Sequence, residues 1–114
     1  MITGAHVIVY STAAEEDRAF LRDVLDFPHV DAGGGWLIFA LPPAEVAVHP
    51  ADAPAAELYL MCDDLDPAVE ALRARGVDFA QVEEPRWGRV TTFVLPGGAR
   101  VGLYEPRHPR ATGL

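Results

Sequence analysis

Four side chains of metal-binding type stand at matched places in a chain that half repeats itself. His6 opens the run His6-Val7-Ile8-Val9-Tyr10, and Glu57 opens Glu57-Leu58-Tyr59-Leu60-Met61. His6 precedes Phe27 of Leu25-Asp26-Phe27 by 21 residues, and Glu57 precedes Phe79 of Val77-Asp78-Phe79 by 22. His49 ends the last strand-like run of the first half, and Glu105 ends that of the second. Two neutral imidazoles and two carboxylates would neutralise a divalent cation without leaving net buried charge. Nitrogen and oxygen donors suit Fe, Mn, Ni, Co or Zn and do not choose among them. His6, His49 and one glutamate would make a two-histidine, one-carboxylate triad, with open positions for a chelating substrate and for oxygen. With all four bound, a glutamate that left the metal would serve as a base. Each residue alone has a plainer reading: a half-buried histidine or a charge at a strand end. The joint pattern carries the metal reading.

These residues need elements to position them. Thr3 to Tyr10 is β-branched and apolar and reads as a strand. Its alternation sets His6, Ile8 and Tyr10 on one face. Thr12-Ala13-Ala14-Glu15 matches a capping box for a helix running to about Leu25. Phe20, Leu21, Val24 and Leu25 form that helix's buried stripe, and Glu15, Glu16, Asp17, Arg18 and Arg22 face water. Short strands are expected near Phe27 to Asp31, Trp36 to Leu41 and Glu45 to His49. Gly33-Gly34-Gly35 is a turn without the strand, spacing and helix of a phosphate loop.

Pro50 to Pro54 is a proline- and alanine-rich connector. Glu57 to Cys62 reads as the next strand. Asp66-Pro67 supplies an N-cap with proline at the first helical position, Val69 and Leu72 an apolar stripe, and Gly76 a stop. Strands follow near Phe79 to Glu83, Arg89 to Leu95 and Ala99 to Tyr104, with Pro96-Gly97-Gly98 as a hairpin turn. Each half is thus a βαβββ unit. Alternation places Tyr59 on the face of Glu57, where its hydroxyl could donate to a substrate oxygen. Trp36 and Trp87 would wall an apolar pocket or fill the core. His108 and Arg107 lie in a tail after Pro106 and read as solvated.

Composition narrows the classes. At 114 residues, half of them apolar, the chain fits one folded domain. A net charge of −8 argues against nucleic acid, whose phosphates demand a basic face. All nine cations are arginine, which reads as a compositional bias and not as a binding feature. The single cysteine, Cys62, allows no intrachain disulfide and reads as a small buried hydrophobe. The N-terminus has no basic segment followed by a long apolar one, and no run approaches membrane-spanning length. A soluble cytoplasmic protein is expected, with no membrane or nucleic-acid partner.

Three stretches carry a resemblance to a known group. Ala19-Phe20-Leu21-Arg22-Asp23-Val24-Leu25-Asp26-Phe27 looks like a first helix and its exit. Met61-Cys62-Asp63-Asp64-Leu65-Asp66-Pro67-Ala68-Val69 looks like a fifth strand entering a second helix. Trp87-Gly88, Leu95-Pro96-Gly97-Gly98 and Leu103-Tyr104-Glu105-Pro106 look like the closing hairpin. Together they resemble the vicinal oxygen chelate superfamily, the glyoxalase, bleomycin-resistance and extradiol-dioxygenase group.

The resemblance implies an α+β domain of two βαβββ modules, residues 1–50 and 56–106, whose curved mixed sheet encloses a cavity, with a tail at 107–114. It places ligands of a divalent metal on the first and fourth strands of each module, hence at His6, His49, Glu57 and Glu105. Glu57, Glu105 and Tyr59 become the catalytic candidates. The chain departs from the commonest pattern, with Glu57 where histidine is frequent and His49 where glyoxalase I tends to use glutamate. It also lacks the arginine and asparagine pattern that holds glutathione. The implied function is a metal-dependent enzyme acting on a small molecule, dioxygenase-like more than lyase or isomerase. The alternative is a non-catalytic, bleomycin-resistance-like protein that sequesters its ligand. A homodimer is expected, with modules of opposite subunits building each cavity.

Overall fold

The computed structural model describes residues 7–45, 47, 49–53 and 55–109. The elements run α1 (Ala14–Asp23), β1 (His29–Asp31), β2 (Leu37–Phe39), β3 (Leu58–Met61), α2 (Leu65–Arg73), β4 (Gly88–Val94) and β5 (Arg100–Pro106). β1 and β2 form an antiparallel pair, and the other strands form a mixed sheet in the order β3-β5-β4. The chain is therefore α+β, as the sequence predicts.

The second half follows its βαβββ pattern closely. β3 runs parallel to β5 with Tyr59 opposite Gly102, and β4 runs antiparallel to β5 with Thr92 opposite Gly102. The expected strand near Phe79 to Glu83 is an irregular edge instead. It touches β4 through the Glu83–Val90 bridge and the Ala80 N–H donating to Thr92 O, and the buried Thr91 hydroxyl donates to Ala80 O. The hairpin turn closes as expected, with Leu95 N–H donating to Ala99 O and Gly98 N–H to Leu95 O.

Alternation along β5 sorts the two faces of this sheet. Val101 and Leu103 join Leu65, Val69, Val77, Phe93 and Leu95 in the core, with Leu58 and Leu60 packed beside them. This is the side that α2 covers, burying Leu65 and Val69 of its amphipathic stripe. The α2 axis ends as predicted, with Gly76 at φ +92°, a left-handed conformation that suits glycine. Its start differs from the expectation. Asp64, not Asp66, is the N-cap residue, and it makes no side-chain cap. The Glu105 carboxylate accepts the Leu65 N–H at 3.0 Å instead, a cap supplied from 40 residues away.

α1 also starts differently from its motif. No side chain caps it, so the capping box is not formed; the Ser11 hydroxyl accepts the Ala13 N–H at 2.9 Å. Asp17, expected in water, is only 6% exposed. Its Oδ1 accepts the Gly97 N–H of the β4–β5 hairpin at 2.7 Å, while Oδ2 is buried without a partner. Phe20 stacks on Phe93 with ring centroids 5.8 Å apart. At the other end of α1, Arg75 donates to Val24 O and to the Asp26 carboxylate, each at 2.6 Å. Helix α1 of the first half thus sits on the core of the second half.

The first half shows less regular structure. Val7–Tyr10 form no strand, and Val7, Ile8, Val9 and Tyr10 are all exposed. Glu45, Ala47 and His49 lie in no regular element, so the expected fourth strand of the first unit carries no ladder at these residues. An apolar run has no reason to order as a strand without a neighbouring edge to pair with. Around the glycine turn, the Asp31 carboxylate accepts the Gly33 and Gly35 N–H groups, so an acidic side chain already occupies the donors a phosphate would need.

The Asp17 contact is testable. Asp17→Ala should lower stability by about 1–3 kcal/mol, as a charge-assisted bond to the hairpin amide is lost. Asp17→Asn keeps an acceptor for Gly97 and should lose much less. Urea denaturation of the three proteins measures both.

Candidate ligand-binding site

The face of the β3-β5-β4 sheet opposite α2 carries a cluster of three aromatic rings. Tyr59 and Met61 of β3, Gly102 and Tyr104 of β5, and Val90 and Thr92 of β4 share this side by register. Trp87 reaches it from the turn entering β4. The rings of Tyr59, Trp87 and Tyr104 stand almost at right angles to one another, with centroids 6.2, 5.9 and 5.3 Å apart. These are edge-to-face arrangements, in which the positive rim of one ring meets the negative face of the next.

Gly102 makes the cluster possible. A Cβ at that position would collide with the Tyr59 ring, so only glycine lets the ring lie down on the sheet. Tyr104 is buried at 7% exposure, whereas Tyr59 and Trp87 keep 39% and 38%. The result is an aromatic corner with a buried floor and two partly open walls. The Tyr59 phenol has its pKa raised, first by burial and then by the neighbouring Glu57 carboxylate. Alternation sets Glu57 on the Tyr59 side of the sheet.

His108 closes the other end, and sequence reasoning missed it. Its ring stacks on Tyr104 at 26° with centroids 5.8 Å apart. Nδ1 lies 2.8 Å from Pro109 O, an acceptor only, so in the neutral ring Nδ1 holds the hydrogen. Nε2 then accepts the Tyr104 hydroxyl at 3.0 Å. Glu45 Oε1 stands 3.9 Å from the same nitrogen, bringing a residue of the first half to this end of the cluster. No periodicity marks a residue in a tail, so the sequence offered no signal for His108.

Of the expected metal ligands, His49, Glu57 and Glu105 lie among the described residues. His6 lies outside the described residues, and His49 is exposed in an irregular segment. Glu57 stands on the aromatic side. Glu105 shares the α2 side with Val101 and Leu103, its Oε1 on Leu65 N–H and its Oε2 4.0 Å from Arg107 Nε. By alternation Glu57 and Glu105 fall on opposite faces of the sheet. The β5 positions that do face the aromatic side are Gly102 and Tyr104. Among the described residues no group of three or more His, Cys, Asp or Glu could hold a metal.

Other candidates resolve plainly. Trp36 is an exposed ring with the Arg18 guanidinium 4.6 Å above it, not a core aromatic. Cys62 points its thiol at Tyr104 O at 3.5 Å. Burial, then the nearby Glu105 charge, push its pKa up to about 11. A depression of about 430 Å³ lies elsewhere, between α1 and the end of α2. Its one cation, Arg75, is already spent on Val24 O and Asp26, so the polar groups there do not converge on a ligand.

Comparison with known proteins agrees with this architecture. The sequence matches no family model and no curated protein. Among solved structures, the chain is similar to TnmS3, an antibiotic-binding protein from Streptomyces sp. CB03234. That likeness has 26% identity over 93% of this chain and 99% of that one, at a TM-score of 0.63. It is also similar to a glyoxalase/bleomycin resistance protein from the same organism, with 27% identity, 84% and 94% coverage, and a TM-score of 0.58. A third likeness is a member of the glyoxalase/bleomycin resistance protein/dioxygenase superfamily from Sphaerobacter thermophilus, at 24% identity, 90% and 97% coverage, and a TM-score of 0.59. With its α+β order and strand register, the chain has a glyoxalase-like fold and is similar to proteins of the glyoxalase/bleomycin resistance group.

Two outcomes test this geometry. Glu105→Ala should lower stability by about 1–2 kcal/mol through loss of the α2 cap, with Glu105→Gln closer to the parent, as thermal denaturation will show. The Cys62 thiol stays protonated below about pH 11. At pH 8 it should react with a disulfide reagent at least about tenfold more slowly in the folded protein than in urea, because only thiolate attacks.

Proposed function

We propose that this protein binds a small, flat aromatic molecule and sequesters it without transforming it. The observation that carries the reading is the aromatic corner of Tyr59, Trp87 and Tyr104 over Gly102, two of whose rings are left part open. Stacking on such rings recognises a planar π-system whatever its substituents, and an apolar wall with few polar groups is the usual form of a small-molecule site. The likeness to an antibiotic-binding protein over nearly the whole chain supports a binding role.

A dioxygenase-like or other metal-dependent reaction is the second reading, and it needs a bound divalent ion. Metal content separates the two. Protein purified without tag or chelator, then reloaded with Fe, Mn, Ni, Co and Zn, should retain no ion whose binding is lost in Glu105→Ala. One ion per chain lost in that variant would put the enzyme reading first.

We also propose a homodimer. The exposed apolar run Val7–Tyr10, together with Val30, Trp36, Ile38 and Leu41, leaves the first half with a large uncovered surface. Sedimentation equilibrium should give about twice the 12.3 kDa chain mass, and Ile8→Arg with Tyr10→Arg should return the monomer.

Binding itself is read by Trp fluorescence in a Trp36→Phe background, which leaves Trp87 as the reporter. A planar tricyclic ligand should quench it with a stoichiometry of about one per chain. Tyr59→Ala should weaken that affinity by about tenfold. Gly102→Val, which evicts the Tyr59 ring, should abolish it. Unchanged affinity in both variants would remove the corner from the site.

A further inference from the structure

Resting on that reading, we infer that His108 is a positioning residue of the aromatic corner. It tethers the Tyr104 floor ring through an acceptor nitrogen, and the corner loosens its ligand when that nitrogen takes up a proton. The chain after β5 is tied to two of the three rings. The Arg107 N–H donates to Trp87 O at 2.8 Å, on the backbone of one wall. One residue on, the His108 ring stacks on Tyr104, with centroids 5.8 Å apart at 26°, and Nε2 accepts the Tyr104 hydroxyl at 3.0 Å. Tyr104 in turn meets Tyr59 and Trp87 edge to face. The two walls and the imidazole therefore share one buried ring.

The direction of the Tyr104 bond depends on the charge of His108. Nδ1 faces Pro109 O at 2.8 Å, which can only accept, so the neutral ring keeps its hydrogen there and Nε2 offers a lone pair to the phenol. An imidazolium has no lone pair to offer. Its Nε2–H must donate to the phenol oxygen, and the hydroxyl hydrogen must leave the direction it now takes. The reversed bond changes where the imidazole stands relative to the phenol, and the edge-to-face contacts of Tyr104 carry that change to Tyr59 and Trp87. Histidine is the side chain whose ordinary charge change falls between about pH 5 and 8. Facing this nitrogen are the Tyr104 phenol, from β5, and the Glu45 carboxylate, from the first half, with Oε1 at 3.9 Å. A carboxylate there attracts the proton but leaves the exchange of donor and acceptor as it is. Arg107, the chain neighbour, turns its guanidinium toward Glu84 and Glu105, at 3.6 and 4.0 Å. His29 lies elsewhere, against Phe39, and His49 is exposed in an irregular segment.

The probe is 9-fluorenone, a planar tricyclic ketone with no titratable group, followed on the full chain by Trp87 fluorescence in the Trp36→Phe background. Its affinity should be greatest at pH 8, where an imidazole is ordinarily neutral, and about fivefold weaker at pH 5.5. His108→Gln, whose amide oxygen can still accept the phenol hydrogen, should bind at pH 8 nearly as the parent does and lose the pH dependence. His108→Phe keeps a ring on Tyr104 without an acceptor and should be about fivefold weaker at both pH values. Glu45→Gln should retain the pH dependence. Nitrogen-15 NMR of the histidines should show His108 as the Nδ1–H tautomer at pH 8. An Nε2–H tautomer, or a pH dependence that survives in His108→Gln, would overturn the positioning role and leave the aromatic site standing. Equal affinity of the parent at both pH values would do the same. Failure of fluorenone to bind at pH 8 would overturn the site itself, and the role of His108 with it.

Discussion

A strand with neighbours on both edges can send its side chains in only two directions, and β5 sits between β3 and β4. Everything that distinguishes this protein follows from how β5 divides its residues. Val101, Leu103 and Glu105 go to the α2 side, where two fill the core and the third caps the helix. Gly102 and Tyr104 go to the other side, where one makes room for the Tyr59 ring and the other is the buried floor. A slip of one residue would exchange the two sets, exposing Val101 and Leu103 and burying Tyr104 against α2. The core and the ligand face are therefore one decision, made along seven residues.

The same constraint sets the place of Glu105. In the sequence it occupies the end of the last strand of its unit, a place matched by His49 in the other unit. In the structure its side chain faces Leu65, because it is an even number of residues from Leu103, and Leu103 is core. A carboxylate at a helix N-terminus satisfies an orphan amide and meets the positive end of the helix dipole. That role needs a glutamate as surely as a metal would, so residue type alone could not separate the two.

Much of the fold was legible because the second half is locally consistent. The turn Pro96-Gly97-Gly98, the stop at Gly76, and the alternation of β4 and β5 agree with their surroundings, and all appear where expected. What failed was long-range. The α2 cap comes from Glu105, 40 residues away, in place of the nearby Asp66. The burial of Asp17 is set by Gly97, 80 residues away. At the site, the shared side of Glu57 and Tyr59 was visible as period-two spacing, whereas the role of Gly102 depends on a ring from another strand. His108 lies outside any periodic segment. No local pattern encodes such partners.

The joins made by α1 carry a consequence for assembly. Asp17 on the hairpin, Phe20 on Phe93, and Arg75 on Val24 O and Asp26 already fasten the first half of the chain to the second. Two copies that traded halves would have to undo all of these before gaining any equivalent bond, a barrier that grows with each join. Association by laying intact chains side by side meets no such barrier. A partner met after folding is thus added to a finished chain, and mixing two differently marked populations of this protein would scramble whole subunits without scrambling their halves.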